Sequence, residues 1–369
     1  MKQIKLGIIG MGNMGGGHFR NVQAGKCPSV KVTAVCDINP DQLKNLGDIA
    51  TFTDADKMLE SGLIDAALIA VPHYLHPEMA IKCFKHKIHV LTEKPAGVYA
   101  SQVRKMNQAA EEAGVKFGIM FNQRTNPLYA KAREIVQSGQ LGKRKRLVWI
   151  ITNWYRTQAY YDSGSWRATW AGEGGGVLLN QAPHNLDLWQ WIFGMPKRVR
   201  AFCAFGKYHN IDVEDDVTIY GEYEDGASAT FITTTGEAPG TNRLEISGDR
   251  GKIVIEDGKL KWWKLKDAER DFCFTAKEGF ITPENEYQEL SEEAPEGHPQ
   301  VLEAFAQAIL TGSEMIAQGQ EGLNSLSISN AAYISSWTDD WADIPTNEAL
   351  FEEKLAELCR KEKENPRKK

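Results

Sequence analysis

The 369-residue chain is predicted to be an α/β protein, with an N-terminal doubly wound parallel sheet followed by an α+β domain on a large, mostly antiparallel open sheet. Three observations predict it. The first third alternates short β-rich runs with helix-length segments, the pattern changes after about residue 122, and from about residue 198 short strands follow one another through tight turns. Alternation of strand and helix implies parallel strands covered by helices on both faces, whereas Asp-Gly and similar turns between alternating runs signal hairpins. A chain of this length exceeds the size at which a single core usually keeps growing. Residues 1–122 are therefore expected as a first domain, 123–345 as a second, and 346–369 as a charged helical tail.

In order along the chain, strands are expected over 4–9, 31–36, 66–71, 88–91 and 116–120. A helix at about 127–138 leads to a long strand over 144–154, an irregular aromatic segment, and an apolar helix over about 176–193. Strands follow over 198–205, 217–223, 229–235, 243–247, 253–256 and 260–265, with Glu224-Asp225-Gly226, Asp249-Arg250-Gly251 and Asp257-Gly258 as turns. Residues 266–297 read as polar and irregular, 298–341 as helical, and 347–364 as one amphipathic, highly charged helix. The open face of such a sheet invites assembly, so a homodimer or homotetramer through the second domain is expected.

Charge narrows the partners. A net charge of -6 offers no general attraction for nucleic acid or an anionic membrane, which leaves small molecules. The basic run from Lys143 to Arg146 leads into an apolar strand, and Arg367-Lys368-Lys369 ends the charged tail; both read as solvated surface. Six scattered cysteines, with no CxxC pair and no metal-ligand spacing, argue against a disulfide framework and against a metal site. Residues 1–9 lack the apolar run of a signal peptide, and nowhere do about 18 apolar residues occur in succession. The expectation is a cytoplasmic protein.

The first strand runs directly into Gly10-Met11-Gly12-Asn13-Met14-Gly15, which opens a helix. The first glycine permits a tight turn, the second lets backbone approach a pyrophosphate, and the third lets helix pack on strand. The strand over 31–36 ends at Asp37, roughly 20 residues beyond the loop, as the Rossmann dinucleotide fingerprint requires. Asp37 is positioned to accept bonds from the adenosine ribose hydroxyls and would repel a 2'-phosphate, and Ile38 and Asn39 supply no cation. NAD is expected over NADP.

The strand over 88–91 runs into Thr92-Glu93-Lys94-Pro95, placing a lysine at the carboxyl edge of the sheet, where ligands of open α/β folds bind. Such a lysine can hydrogen-bond a substrate hydroxyl and stabilise charge developing on its oxygen. Asn122, Gln123 and Arg124, just past the strand over 116–120, lie at the same edge. Taken together, the glycine loop, Val71-Pro72-His73-Tyr74-Leu75-His76, Glu93-Lys94-Pro95, and Gly174-Gly175-Gly176 leading to His184 and Asp187 resemble the Gfo/Idh/MocA family, which includes glucose-fructose oxidoreductase and inositol dehydrogenase. The resemblance covers nearly the whole chain. It implies a two-domain NAD(P)-dependent oxidoreductase acting on a secondary alcohol of a sugar, cyclitol or glycoside. It also puts the turn at His73 and His76 beside the nicotinamide half of the cofactor. The cofactor contacts expected are thus Gly10 to Gly15, Asp37, Val71, Pro72, His76, Glu93, Lys94 and Asn122.

Hydride loss from a carbinol carbon must be coupled to loss of the hydroxyl proton, so a group titrating near neutrality should stand beside that oxygen. His184 is the candidate base, and Lys94 would polarise the same oxygen. Many family members carry Asp four residues before that histidine; here the position is Asn180, which suits hydrogen bonding to a substrate hydroxyl or to His184 rather than proton relay. On a helix Asn180 and His184 would share one face, flanked by Asp187, with Pro183 perturbing the helix between them. Ahead of them Trp154, Tyr155, Arg156, Tyr160, Tyr161, Trp166, Arg167 and Trp170 are dense in rings and guanidinium groups, suited to stacking on sugars or flat aglycones and to binding hydroxyls and carboxylates, and any single ring among them is equally suited to lid or interface packing. Trp262-Trp263 fits core or interface packing better than ligand contact. The stretch from Asn153 to Trp191 also resembles members that oxidise the C3 hydroxyl of glycosides. Two other readings stay open: a glycoside-cleaving enzyme that uses transient oxidation with retained NAD, and a non-catalytic sensor of NAD and sugar.

Overall fold

The apolar runs of the first third become the strands β1 (Ile4–Ile9), β2 (Val30–Cys36), β3 (Ala50–Phe52), β4 (Ala66–Ile69), β5 (His89–Thr92) and β6 (Phe117–Ile119) of one sheet in a computed structural model that describes residues 2–364. Their order is β3-β2-β1-β4-β5-β6 and every pairing is parallel. Helices α1 (Asn13–Gln23), α2 (Ala55–Glu60), α3 (His76–Lys85) and α4 (Ala100–Ala113) make the crossovers. The strand order reverses between β1 and β4, so a crevice opens beyond their carboxyl ends, at Gly10 and at Ala70-Val71. β3 was not expected: three half-exposed residues are too few to show alternation.

The later chain forms α5 (Pro127–Gln137), β7 (Arg144–Ile151), α6 (Gln158–Asp162), α7 (Pro183–Phe193), β8 (Arg198–Phe205), β9 (Glu214–Glu222), β10 (Ser228–Thr234), β11 (Asn242–Gly248), β12 (Gly251–Glu256), β13 (Lys259–Leu265), α8 (Glu269–Thr275), β14 (Asn285–Ser291), α9 (His298–Thr311), α10 (Gly322–Thr338), β15 (Ala342–Asp343) and α11 (Glu348–Glu364). Nine strands join in the order β14-β13-β12-β11-β7-β10-β9-β8-β15, antiparallel throughout except between β7 and β10. In the first part of β8 Val199 and Ala201 are buried while Phe202 is 60% exposed, so there one face is covered and the other meets solvent.

Three expectations are corrected. Residues 266–297 are not irregular throughout, because α8 forms there and β14 pairs with β13. The strand expected over 144–154 ends at Ile151. The helix expected over 176–193 starts only at Pro183, which occupies the first helical turn, where its missing N–H costs nothing. The residues ahead of it form hydrogen-bonded turns instead.

The described chain divides into two compact units, one of residues 2–125, 172–174 and 295–326, the other of 126–171, 175–294 and 327–364. This differs from a single second domain over 123–345. The physical reason is α9, whose Val301, Leu302, Phe305 and Ala306 join Ile4, Leu6 and Ile8 of β1 in one apolar cluster. In the second unit the charged C-terminal segment docks as α11: Phe351 and Leu355 are buried, and the Phe351 ring stacks on Trp337 at 5.6 Å. Arg367-Lys368-Lys369 lies outside the described residues. Among those residues no helix is long and apolar enough to cross a membrane.

Candidate active site

The glycine loop is built to keep side chains out. Gly10 has φ +91°, and a Cβ there would lie 2.5 Å from the Ala70 carbonyl oxygen; one on Gly15 would lie 1.8 Å from the Gly10 carbonyl oxygen; one on Gly12 would meet nothing within 4 Å. Gly10 and Gly15 thus allow the turn to close on β4 and on itself, while Gly12 leaves its outer side clear for a ligand. Gly12 precedes α1 with no side-chain cap and no acidic residue in the first turn, so the helix presents bare N–H groups and its positive dipole end. Asp37 stands half-exposed at the end of β2. Its carboxylate accepts the Met11 N–H at 2.7 Å and the Asn39 N–H at 2.8 Å, leaving about two of its roughly four acceptor positions for hydroxyls. Its bond to Met11, which holds the loop in shape, was not anticipated. Ile38 beside it is 91% exposed and offers no cation. Asn122, past β6, is buried, and its Oδ1 has no hydrogen-bond partner among the described residues, an acceptor suited to a ligand amide. These features fit a dinucleotide.

Val71 and Pro72 follow β4 at the crevice. The His76 ring is buried, with Nδ1 2.7 Å from the Pro95 carbonyl oxygen and Nε2 2.7 Å from that of Val71, and burial pushes its pKa down. Both nitrogens face main-chain carbonyl oxygens, and a neutral ring, with a single N–H, donates to one of the two crevice segments at a time. His73 Nδ1 lies 3.0 Å from the Glu173 carbonyl oxygen. Lys94 is half-buried just past β5. Glu93 is buried; its Oε1 lies 2.7 Å from His18 Nε2 and its Oε2 accepts the Lys94 N–H at 3.2 Å. Burial alone would raise the Glu93 pKa, but the His18 hydrogen bond and the charges of His18, Lys94 and His298 hold it near about 2. His298 packs edge-on to His18 at 5.6 Å between ring centres and lies 3.3 Å from Asn122 Nδ2. His18 and His298 escaped the sequence reading because nothing local marks them.

In the second unit, Gly175 and Gly176 run over a buried carboxylate. A Cβ on Gly175 would lie 2.0 Å from the Tyr333 hydroxyl, and one on Gly176 2.0 Å from the Glu214 carbonyl oxygen. Glu214 Oε1 accepts the Leu178 N–H at 2.9 Å and the Tyr333 hydroxyl at 2.8 Å, and its two oxygens share the Gly176 N–H at 3.0 and 2.9 Å. Burial outweighs these donors and pushes the Glu214 pKa up to about 7. Asn180 closes a single turn, its N–H donating to the Gly176 carbonyl at 3.0 Å, and α7 begins three residues later. Asn180 and His184 therefore do not share a face of one continuous helix, a correction that follows from Pro183. His184 and Asp187 do sit on consecutive turns of α7, both buried, and Asp187 Oδ1 accepts from Gln190 Nε2 at 3.0 Å.

The aromatic segment is strongly tied. The Arg156 guanidinium lies 5.1 Å from the centre of the Tyr160 ring and 6.0 Å from that of Trp154, while Arg167 lies 4.7 Å from Tyr160 and 4.6 Å from Trp166. Tyr160 is thus flanked by two cations, and its hydroxyl receives Arg167 Nη1 at 3.0 Å. Trp154 Nε1 is buried with no hydrogen-bond partner among the described residues, whereas Tyr155 is 49% exposed. Tyr161 donates to Thr235 Oγ1 and is packing, as is Trp170, which contacts Phe205, Tyr333 and Trp337. Trp262 is also buried, in keeping with packing. Two supports were missed. Buried Asp215 binds His209 Nδ1 at 2.9 Å, whose Nε2 reaches the Arg156 carbonyl oxygen at 2.9 Å. From α11, the Glu362 carboxylate accepts the N–H groups of Trp170 and Ala171 at 2.8 and 2.9 Å.

Residues 4–121 match the oxidoreductase family with an NAD-binding Rossmann fold, and residues 129–254 match the GFO/IDH/MocA C-terminal domain. The chain belongs to the Gfo/Idh/MocA family. Among curated members, the myo-inositol 2-dehydrogenase of Thermotoga maritima is 24% identical over 89% of this chain and 95% of its own length. The 2,7-anhydro-N-acetylneuraminate hydratase of Escherichia coli is 28% identical over 69% of this chain and 68% of its own length. Among solved structures, the WlbA dehydrogenase of Bordetella pertussis, in complex with NADH and UDP-GlcNAcA, superposes with a TM-score of 0.79 at 25% identity, covering 94% of this chain and 100% of that one. Membership in the Gfo/Idh/MocA family agrees with the six-stranded parallel sheet and nine-stranded second sheet described above.

Proposed function

We propose that the chain is an NAD-dependent dehydrogenase of a secondary hydroxyl on a sugar, cyclitol or glycoside. The observation that carries this reading is the combination, within one Rossmann unit, of a glycine cradle fitted to a dinucleotide and a lysine held at the carboxyl edge of the same sheet. Relatives named as an inositol dehydrogenase and as a dehydrogenase complexed with NADH and a nucleotide sugar support it. Asp37, with exposed Ile38 beside it, favours NAD over NADP.

Bound NAD+ supplies the hydride acceptor. His184 takes the hydroxyl proton, Lys94 donates a hydrogen bond to the oxygen as the carbonyl forms, and Asn180 bonds a neighbouring hydroxyl. Trp154, Tyr155, Arg156, Trp166 and Arg167 recognise the rest of the substrate, with the Trp154 indole N–H as an available donor. The C3 hydroxyl of a glycoside is the preferred position of oxidation. Chains assemble as a homodimer or homotetramer through the solvent-facing side of the nine-stranded sheet, which light scattering behind size exclusion would test.

The deciding experiment is a screen of NADH formation against inositols, hexoses, anhydrosugars and glycosides, with the oxidised carbon assigned by NMR. Loss of turnover in His184→Ala and in Lys94→Ala with NAD binding retained is expected, and turnover within a few fold of wild type would defeat the assignment. Likeness to the anhydrosialate hydratase favours a second reading, in which transient oxidation to a ketone acidifies a neighbouring C–H, loss of that proton expels the oxygen across the C–C bond, water adds to the double bond so formed, and the hydride held on the cofactor reduces the carbonyl again. Product release without net NADH identifies that course.

A further inference from the structure

We propose that His18 is a positioning residue for Lys94, acting through Glu93. The proposal rests on the role given to Lys94 above. His18 and Glu93 are 2% and 4% exposed, and 2.7 Å separates His18 Nε2 from Glu93 Oε1. Glu93 is held ionised, and an ionised carboxylate only accepts, so Nε2 carries the proton and donates. The second carboxylate oxygen accepts the main-chain N–H of Lys94 at 3.2 Å. One buried charge therefore joins the middle of α1 to the backbone of the lysine.

The link has a direction. α1 starts at the glycine loop, so the helix that offers its N-terminus to the dinucleotide also carries the ring that fixes the lysine. On the far side His298 leans on His18 and is itself 3.3 Å from Asn122, which brings the segment after β6 into the same cluster. Removing the His18 ring would leave the Glu93 charge buried without its strongest partner. A buried carboxylate in that state either takes up a proton or turns toward the nearest cation, and each outcome moves Lys94.

The test uses the full chain carrying H18A, H18Q, E93Q or H18A with E93Q. With a substrate found in the screen above, H18A and E93Q should each lower kcat by about 10- to 100-fold. NADH affinity of H18A, read by fluorescence, should stay within about threefold, because the His18 side chain is no part of the glycine loop or of the expected cofactor contacts. The double variant should be no slower than the slower single one, and H18Q, which keeps a donor at the same reach, should recover most of the loss. In the unliganded protein, the His18 ring N–H resonance should shift in E93Q, and the Lys94 amide should shift in both H18A and H18Q, less in the latter. Unchanged kcat in H18A, losses that multiply in the double variant, or a Lys94 amide that ignores H18A would each overturn the proposal. If wild type oxidises nothing, the dehydrogenase reading fails while the amide and ring signals still decide whether the link exists.

Discussion

Glu214 makes folding stability depend on pH in a way that one isosteric change removes. The carboxylate is fully buried beneath Gly176 and Leu178, and its pKa rises from an ordinary 4.5 to about 7. A carboxyl whose folded pKa is raised binds its proton more tightly in the fold. Its contribution is therefore complete below the unfolded value and is lost as pH climbs through the folded one. The full displacement corresponds to roughly 3 kcal/mol, and the part lying between about pH 5 and about pH 8 to roughly 2.5 kcal/mol. In Glu214→Gln the side chain keeps its shape and loses its titration. Urea unfolding followed by tryptophan fluorescence should show wild type gaining on the variant by that amount at the lower pH. Stability curves that run parallel from pH 5 to pH 8, or a wild-type advantage that grows with pH, would refute the reasoning. Because the same carboxylate holds the amides ahead of α7, the protection factors at Gly176 and Leu178, corrected for the intrinsic pH dependence of exchange, should change more with pH in wild type than in the variant.

Gly15→Ala must displace the main chain, since its Cβ would stand 1.8 Å from the Gly10 carbonyl oxygen; NADH binding should weaken at least about tenfold, and stability should fall by about 1–3 kcal/mol, as measured by titration and unfolding. Asp37→Ser with Ile38→Arg should turn preference toward NADP; because Asp37 also holds the Met11 N–H, affinity for both cofactors should drop, and kcat/KM with each cofactor reports both effects. Glu362→Ala removes the carboxylate that receives Trp170 and Ala171, a loss of about 1–3 kcal/mol locally, so exchange at those two amides should accelerate and substrate KM should rise while NADH affinity holds.

The elements legible in the sequence were those with a local signature. The glycine loop, Asp37, the strand just ahead of Lys94 and the hairpins at Asp225-Gly226 and Asp257-Gly258 each follow from spacing or turn chemistry within a few residues. Apolar residues continue through the turns at 177–182, so their pattern predicts a helix over 176–193 that is longer than α7; Pro183 carries the better signal, as a start rather than a perturbation. Gly174 to Gly176 were marked only by resemblance. Their physical reason lies in partners far along the chain: Val98 for Gly174, Tyr333 for Gly175 and Glu214 for Gly176. Glu93 and His18 are 75 residues apart, and Glu362 lies 192 residues from Trp170, so no window of sequence contains either pair. Buried polar contacts of this kind depend on topology, which the pattern of apolar residues constrains only coarsely.

The return of α9 to the first sheet bears on how the protein is made. Leu6 and Ile8 emerge from the ribosome almost three hundred residues ahead of Val301, Leu302 and Phe305, which cover them. At the roughly 5–20 residues per second of translation, that apolar strand face waits for about 15 seconds or more before its lid exists. A fragment ending at residue 125 would keep all six strands and the whole glycine loop but carry this face bare, and would be expected to aggregate or to recruit a chaperone rather than to bind cofactor. The nascent chain must therefore keep these strands soluble until α9 arrives.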